Sequence, residues 1–414
     1  MKILYIVHQL LPPKHVAGTE IYTINLAREM QARGHQVHLY FTESYADREQ
    51  YELATGSYRG IPYFEAVHNY EYENFTATWR DPRMEKLCRQ VLDRVKPDLV
   101  HIQHLHLHSI GYIDLIAKRG TPLVYTLHEY LLMCPAGGQL LRPGLRLCPG
   151  PEPAACARCT AQAPPPEEES RETAVTRRLE EIRKGMKKVD LFISPSAFLR
   201  EMFLRNGMVD PGRIIHSDNG FFTEAFERVP YERSDRLRVG YIGTLAEYKG
   251  VHLLIEAFRG IPADRALCRI YGDLEMFPAY GRRLRKMKKP ENVELMGRFD
   301  NSRVGRVLAG IDLLVIPSLW YENSPLTIHE AYLAGIPVIA SDQGGMAELV
   351  KPGATGLHFR LGDAEDLRRQ ITRCLEQPGL LEDFSENLPA VKSIAEDAWI
   401  MEDRYCRLTG EPLP

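Results

Sequence analysis

The stretch from Asp312 to Val350, DLLVIPSLWYENSPLTIHEAYLAGIPVIASDQGGMAELV, leaves the chain around it few ways to fold. Two short runs, Leu313 to Ile316 and Ile336 to Ala340, are continuously apolar and rich in β-branched residues, without the alternation of a strand that has one wet face. Such runs are buried on both faces, as strands of a parallel sheet are. A well-punctuated helix separates them. Ser324 is the expected N-cap, Pro325 suits the first helical position because its missing N–H has no partner there, and Gly335 followed by Pro337 closes the far end. Strand, helix and strand in so short a span form a βαβ unit.

The loop before this helix carries the chemistry. Backbone N–H groups of Asn323, Ser324, Leu326 and Thr327, around Pro325, combine with the positive end of the helix dipole to make a seat for a phosphate. Glu322 lies just before that seat and Glu330 seven intervening residues further on, in the second helical turn. Both carboxylates can then address one ligand lying across the helix start. The plainer alternative is a pair of glutamates that solvate a helix face.

The same alternation recurs in both halves of the chain. In the first, Lys2 to His8 reads as a strand, Gln9 to Gly18 as a loop and the following segment to Gly34 as a helix, with a strand at Gln36 to Phe41. Further strands are expected at PDLVHIQH, Pro122 to Thr126, Leu191 to Ser194 and Ile214 onward. Residues 43–80 read as irregular connection. Gly18, at the helix start, suits close approach of a ligand to bare backbone. His128 lies just past the carboxyl end of a strand, where a doubly wound sheet places its working groups. His104, His106 and His108 alternate and are expected on one strand face with His101 nearby, as structural histidines rather than a metal site.

A second β-loop-α start, RVGYIGTLAEYKGVHLLIEAF, opens the other half, with Thr244 after the strand and Lys249 before the helix, placed to neutralise a phosphate. Gly297 closes a later strand. Two domains are expected: residues 1–221 and 237–393, joined by a linker at 222–236, with the helix in 394–414 packing back on the first domain. A length of 414 residues fits two cores rather than one.

Cys134, Cys148, Cys156 and Cys159 fall within a proline- and glycine-rich insert, 134–159, that ends in CxxC. This spacing is the basis for expecting a structural zinc, with four ordinary thiols as the alternative. No metal or other cofactor is expected in catalysis. The net charge of −3 excludes a basic nucleic-acid footprint. No apolar run approaches the ~20 residues that span a bilayer, so the expected location is cytoplasmic. The basic helix RRLEEIRKGMKK suggests peripheral contact with the inner face of the membrane, against the plainer reading of a solvated helix face.

Taken in order, AGTE (17–20), PDLVHIQH (97–104), TLHE (126–129), NG (219–220), GTLAEYKG (243–250), YENSPLTIHEAYLAGIPVIASDQGGMAELV (321–350), and GLHF with GDAEDL (356–367) resemble the retaining glycosyltransferases of family 4 over nearly the whole chain. The resemblance implies an α/β GT-B fold, two doubly wound, Rossmann-like parallel-sheet domains facing across a cleft. It implies transfer of a sugar from a nucleoside diphosphate donor, UDP- or GDP-linked, to a hydroxyl of a sugar or glycolipid acceptor, in polysaccharide or glycoconjugate synthesis. Under it Glu330 would bind the ribose, Glu322 the donor sugar, and Lys249 with the 323–327 backbone the diphosphate, while Gly18 and His128 reach in from the first domain. Two positions depart from the family pattern. Ala17-Gly18 stands for a glycine pair, and Thr244 stands where an arginine often accompanies the lysine. The alternatives are a catalytically silent nucleotide-sugar-binding or scaffolding subunit and a GT-B-fold epimerase or phosphorylase.

Overall fold

The computed structural model describes residues 1–10, 17–167, 169–224, 226 and 234–412. Residues 11–16 of the loop entering the first helix, and 225 and 227–233 of the expected linker, lie outside the described residues. The chain divides into two compact units, Met1–Phe221 with Lys392–Pro414, and Phe222–Val391.

In the first unit the strands are β1 (Lys2–Ile6), β2 (Gln36–Glu43), β3 (Leu53–Tyr58), β4 (Ile61–Val67), β5 (Leu99–Ile102), β6 (Leu123–Thr126), the short pair β7 (Leu141–Arg142) and β8 (Arg146–Leu147), β9 (Leu191–Ser194) and β10 (Ile214–His216). All but β7 and β8 form one sheet in the order β10-β9-β6-β5-β1-β2-β4-β3. Its pairs are parallel except β3 with β4. The helices are α1 (Gly18–Ala32), α2 (Pro82–Val95), α3 (Gly111–Ala117), α4 (Pro153–Cys159), α5 (Arg171–Met186) and α6 (Ala197–Arg205).

The second unit holds β11 (Leu237–Ile242), β12 (Ala266–Tyr271), β13 (Val293–Gly297), β14 (Leu313–Ile316), β15 (Val338–Ser341) and β16 (Gly356–Phe359), all parallel in the order β13-β12-β11-β14-β15-β16. Its helices are α7 (Val251–Phe258), α8 (Pro278–Lys286), α9 (Val304–Ala309), α10 (Leu326–Leu333), α11 (Gly344–Leu349), α12 (Ala364–Glu376) and α13 (Leu380–Glu386). The last helix, α14 (Ile394–Thr409), belongs to the first unit and packs on α1. It starts with a full capping box between Ser393 and Glu396 and stops at left-handed Gly410.

Continuous apolar strands are needed because this second sheet is covered on both faces. Val239, Leu313, Val315 and Ile339 pack with α7 and α12 residues such as Phe258 and Ile371, while Ile242, Leu314, Ile316 and Val338 pack with Leu308, Ile328 and Met346 from α9, α10 and α11. Successive residues of one strand thus feed opposite cores.

Three expectations are corrected. Residues 43–80 are not all irregular: β3 and β4 form an antiparallel hairpin at the sheet edge. Arg59 and Gly60 both take positive φ, 51° and 80°, which is the geometry a two-residue turn needs to match strand twist. The histidine alternation does not lie on a strand, because β5 ends at Ile102 and Leu107 turns the chain at φ 64°. Finally, α10 begins at Leu326 with Pro325 as its cap residue, and Ser324 does not cap it. The Ser324 hydroxyl instead meets His329 Nε2 at 3.0 Å inside the unit.

Candidate functional site

In a doubly wound sheet the crevice for a ligand opens at the carboxyl ends of the two strands where the winding direction reverses. In the second unit the chain runs β11, β12, β13 to one side and returns to β14 on the other, so that point lies between β11 and β14. Gly243 and Thr244 leave β11 there, and Pro317 to Glu322 leave β14.

Two close backbone approaches shape this loop. Gly250 caps α7 at φ 68°, and a Cβ on it would stand 1.9 Å from the Pro317 carbonyl oxygen. Gly345, in the first turn of α11, donates its N–H to Glu322 O at 2.8 Å, and a Cβ there would stand 1.6 Å from Asn323 O. Leu319 N–H also donates to Tyr248 O at 2.7 Å. Side chains at either glycine would force the loop away from its neighbours, so both glycines hold Glu322 in place.

Lys249 and Glu322 meet directly. Lys249 Nζ lies 2.6 Å from Glu322 Oε1, and the Ser318 hydroxyl donates to the same oxygen at 2.7 Å. The lysine also lies 5.3 Å from the ring centre of Trp320 and 6.0 Å from that of Tyr248, two rings that meet edge to face at 5.8 Å. Thr244 accepts the Tyr241 hydroxyl through its backbone carbonyl at 2.8 Å. Glu330 sits on α10, where burial raises its carboxyl to about 7. Gly297 ends β13 in the left-handed region at φ 74°. Asn323, Ser324, Pro325, Leu326 and Thr327 lead into α10, whose cap residue Pro325 makes no side-chain cap bond and accepts Ile328 N–H at 3.0 Å through its carbonyl; the positive end of the helix dipole points out there.

Gly18 and His128 belong to the first unit, whose reversal point is β1 beside β5. Gly18 is the first residue of α1. His128 follows β6, with Nε2 2.8 Å from Gln103 Oε1 and its ring edge-on to Tyr22 at 5.6 Å. Around it lies a cluster from several elements. His8 lies tilted against His104 with ring centres 4.3 Å apart and meets Glu20 at 3.2 Å, and His104 meets Glu129 at 3.4 Å. Burial lowers His128 and His101 to about 3 and His106 to about 4, and it raises Glu129 to about 8, so these imidazoles are neutral at ordinary pH.

All eight cysteines are free thiols. Cys134, Cys148, Cys156 and Cys159 share one electrostatic neighbourhood with Arg142 and Arg178. Arg178 is buried and donates to Leu131 O at 2.6 Å, leaving its Nη1 buried without a partner. Among the described residues, however, no three His, Cys, Asp or Glu side chains stand as a metal-holding group. Burial also keeps the Cys156 thiol protonated, up at about 11.

Ser318, Trp320, Gln103 and Tyr22 were not singled out from the sequence. For Ser318 and Gln103 the usable signal was position alone, since each stands one or two residues past a buried strand.

Residues 16–224 match the family described as Glycosyltransferase Family 4, and residues 223–390 the family described as Glycosyl transferases group 1. The N-acetyl-alpha-D-glucosaminyl L-malate synthase of Bacillus anthracis is 22% identical over 379 residues, 90% of this chain and 88% of that protein. The alpha-D-kanosaminyltransferase of Streptomyces kanamyceticus is 28% identical over 170 residues, 40% of this chain, and the match spans only 44% of that relative's length. Among solved structures, sucrose-phosphate synthase from Thermosynechococcus elongatus superposes with a TM-score of 0.73 at 19% identity, over 99% of this chain and 100% of that one. Anabaena Alr3699/HepE, solved with UDP-glucose, gives 0.66 at 19% identity over 100% of both chains. These likenesses establish the fold, GT-B with parallel-sheet Rossmann-like units.

Proposed function

The chain belongs to the family 4 glycosyltransferases, also described as glycosyl transferases group 1, and from that premise we propose that it transfers a sugar from a nucleoside diphosphate donor to an acceptor hydroxyl with retention at the anomeric carbon. The observation that carries this reading is the Lys249–Glu322 pair at the reversal point of the second sheet, four residues ahead of the start of α10. A cation, a carboxylate and the positive end of a helix dipole there suit a diphosphate joined to a polyhydroxylated ring.

In the proposed step the bond from the anomeric carbon to the donor phosphate oxygen breaks, and a bond from that carbon to the acceptor oxygen forms on the same face. The acceptor proton passes to the departing phosphate oxygen. Lys249 and the start of α10 stabilise the charge growing on the diphosphate, which requires no metal in this scheme. Glu322 orients the sugar hydroxyls and Glu330 accepts hydrogen bonds from the ribose diol. The UDP-glucose complex of the Anabaena protein supports a nucleotide-sugar donor. UDP- or GDP-sugars, a sugar or glycolipid acceptor and a place in polysaccharide or glycoconjugate synthesis at the cytoplasmic side complete the proposal. Among the described residues no helix is long and apolar enough to cross a membrane.

Thr244, in the position where the resemblance leads one to expect an arginine, favours a second reading, a subunit that binds the donor without turning it over. A thermal-shift screen of nucleotide sugars separates the cases. Binding followed by transfer, with the product's anomeric configuration read by NMR, supports the proposal; binding without transfer supports the second reading, and no binding overturns both.

For the clustered cysteines the proposal is a structural zinc. Arg142 and Arg178 support it, since their charges would offset a tetrathiolate. The thiols would have to draw together from the positions described, and the metal would supply cross-linking, with no part in the reaction.

A further inference from the structure

A buried chain of hydrogen bonds leads from His128 to the C-terminal helix. His128 Nε2 lies 2.8 Å from Gln103 Oε1, and Gln103 Nε2 lies 3.2 Å from His101 Nε2. That same His101 nitrogen is 2.7 Å from the Thr126 hydroxyl, while His101 Nδ1 is 2.6 Å from the Tyr405 hydroxyl on α14. Tyr405 in turn meets Tyr5 at 3.2 Å. Gln103, His101, Thr126, Tyr405 and Tyr5 are each 0% exposed. Polar groups so deeply buried are costly unless paired, and each of these is paired with the next.

The direction of the chain follows from what each group can do. An amide NH₂ only donates, so His101 Nε2 accepts from Gln103 and the His101 proton sits on Nδ1, donated to Tyr405. An amide oxygen only accepts, so His128 must carry its proton on Nε2. Its Nδ1 lone pair is then left for another partner. The amide turned the other way would put the His128 proton on Nδ1, so its orientation has a measurable consequence.

Resting on the transfer reading above, we propose that Gln103 is a positioning residue that holds His128 as a neutral, Nε2-protonated imidazole, presenting Nδ1 as a hydrogen-bond acceptor to a substrate hydroxyl at the carboxyl edge of the first sheet. His101 and Tyr405 anchor the amide from behind, so α14 contributes to this site without touching substrate. The groups facing His128 agree with a neutral ring. His8, just past β1, opposes a positive charge on the ring, and burial pushes down His101 of β5 and His104 of the loop after it in the same way; among the described residues that act on the ring Glu20 on α1 favours a charge, and Tyr22 on α1 lies edge-on to it. Burial outweighs Glu20.

The test uses the full chain. In histidine ¹⁵N-labelled protein, the resonances lost in His128→Gln should show the Nε2-protonated neutral pattern and stay unchanged from about pH 5.5 to 8.5. The opposite tautomer, or an imidazolium in that range, overturns the proposal. Gln103→Glu keeps an acceptor at His128 Nε2 but adds a negative charge, which raises the imidazole's affinity for a second proton. The acid limb of its kcat/KM profile should move up by about 1–3 pH units, because imidazolium has no lone pair on Nδ1. The shift should be absent in the Gln103→Glu/His128→Gln double variant. A Gln103→Glu profile coincident with that of the parent also overturns the proposal. If the parent chain transfers no sugar, the transfer reading fails, while the resonance pattern still judges Gln103.

Discussion

Replacing Lys249 with methionine should cost more stability than replacing its partner Glu322 with glutamine, although both changes break one ion pair. The Glu322 side chain is 8% exposed and the Lys249 side chain 23%. In Lys249→Met the carboxylate stays buried, with the Ser318 hydroxyl at 2.7 Å left to replace the cation. A buried charge stripped of its counter-ion costs about 2–4 kcal/mol. In Glu322→Gln the stranded group is the lysine, which can turn towards water, and the cost is about 1 kcal/mol. The double variant should lose less than the sum, with a coupling of about 1–3 kcal/mol. Trp320 lies 5.3 Å from the lysine and is the single tryptophan of the second unit, the others being Trp79 and Trp399. Urea denaturation followed by fluorescence in a Trp79→Phe/Trp399→Phe background therefore reports this unit alone. Equal losses for the two single variants, or coupling below about 0.3 kcal/mol, would refute the reasoning. On the functional side, Lys249→Met should weaken binding of a nucleoside diphosphate about 10- to 100-fold by losing a charge-assisted hydrogen bond.

Burial raises the native Glu330 carboxyl to about 7, above its unfolded value. The native state thus holds an extra proton between roughly pH 4.5 and 7, and the stability linked to it is full at the acid end and lost as pH rises through about 7. Glu330→Gln should flatten that segment of the stability curve, and donor affinity should rise from about pH 6 to 8 in the parent chain but not in the variant. Asp397, 0% exposed, takes Lys392 Nζ at 2.6 Å, the Tyr22 hydroxyl at 2.8 Å and Gly220 N–H at 3.2 Å. Asp397→Ala should cost about 3–5 kcal/mol in the unfolding of the first unit, read from Trp399 on α14; a loss below about 1 kcal/mol refutes that role. Metal analysis of protein purified under reducing conditions should find one zinc per chain, lost in Cys156→Ser/Cys159→Ser; folded, zinc-free parent protein overturns the zinc proposal.

The sequence patterns predicted local structure well where the signal was itself local. Continuous apolar runs marked the strands of the second sheet, and the helix expected between Gly18 and Gly34 is α1, Gly18–Ala32. The β3–β4 hairpin was missed because its turn, Arg59-Gly60, carries a single glycine and its strands lie at a sheet edge with weak alternation. The Ser324 cap was misassigned because its hydroxyl had a competing partner, His329, five residues away on the buried side of α10. A local rule could not weigh that competition.

The alternation of strand and helix, hence two doubly wound sheets, and the residue types around the start of α10 are legible in the order of the amino acids. Those follow from periodicity, turn residues and backbone N–H groups, all set within a few residues of one another. Which distant residues meet is set by the folded arrangement instead. Lys249 reaches Glu322 because β11 and β14 are neighbours at the point where the sheet reverses, and Tyr405 stands behind His101 because α14 returns to the first unit. Pairings across 73 and 304 residues depend on strand order and burial, which no short window of sequence contains.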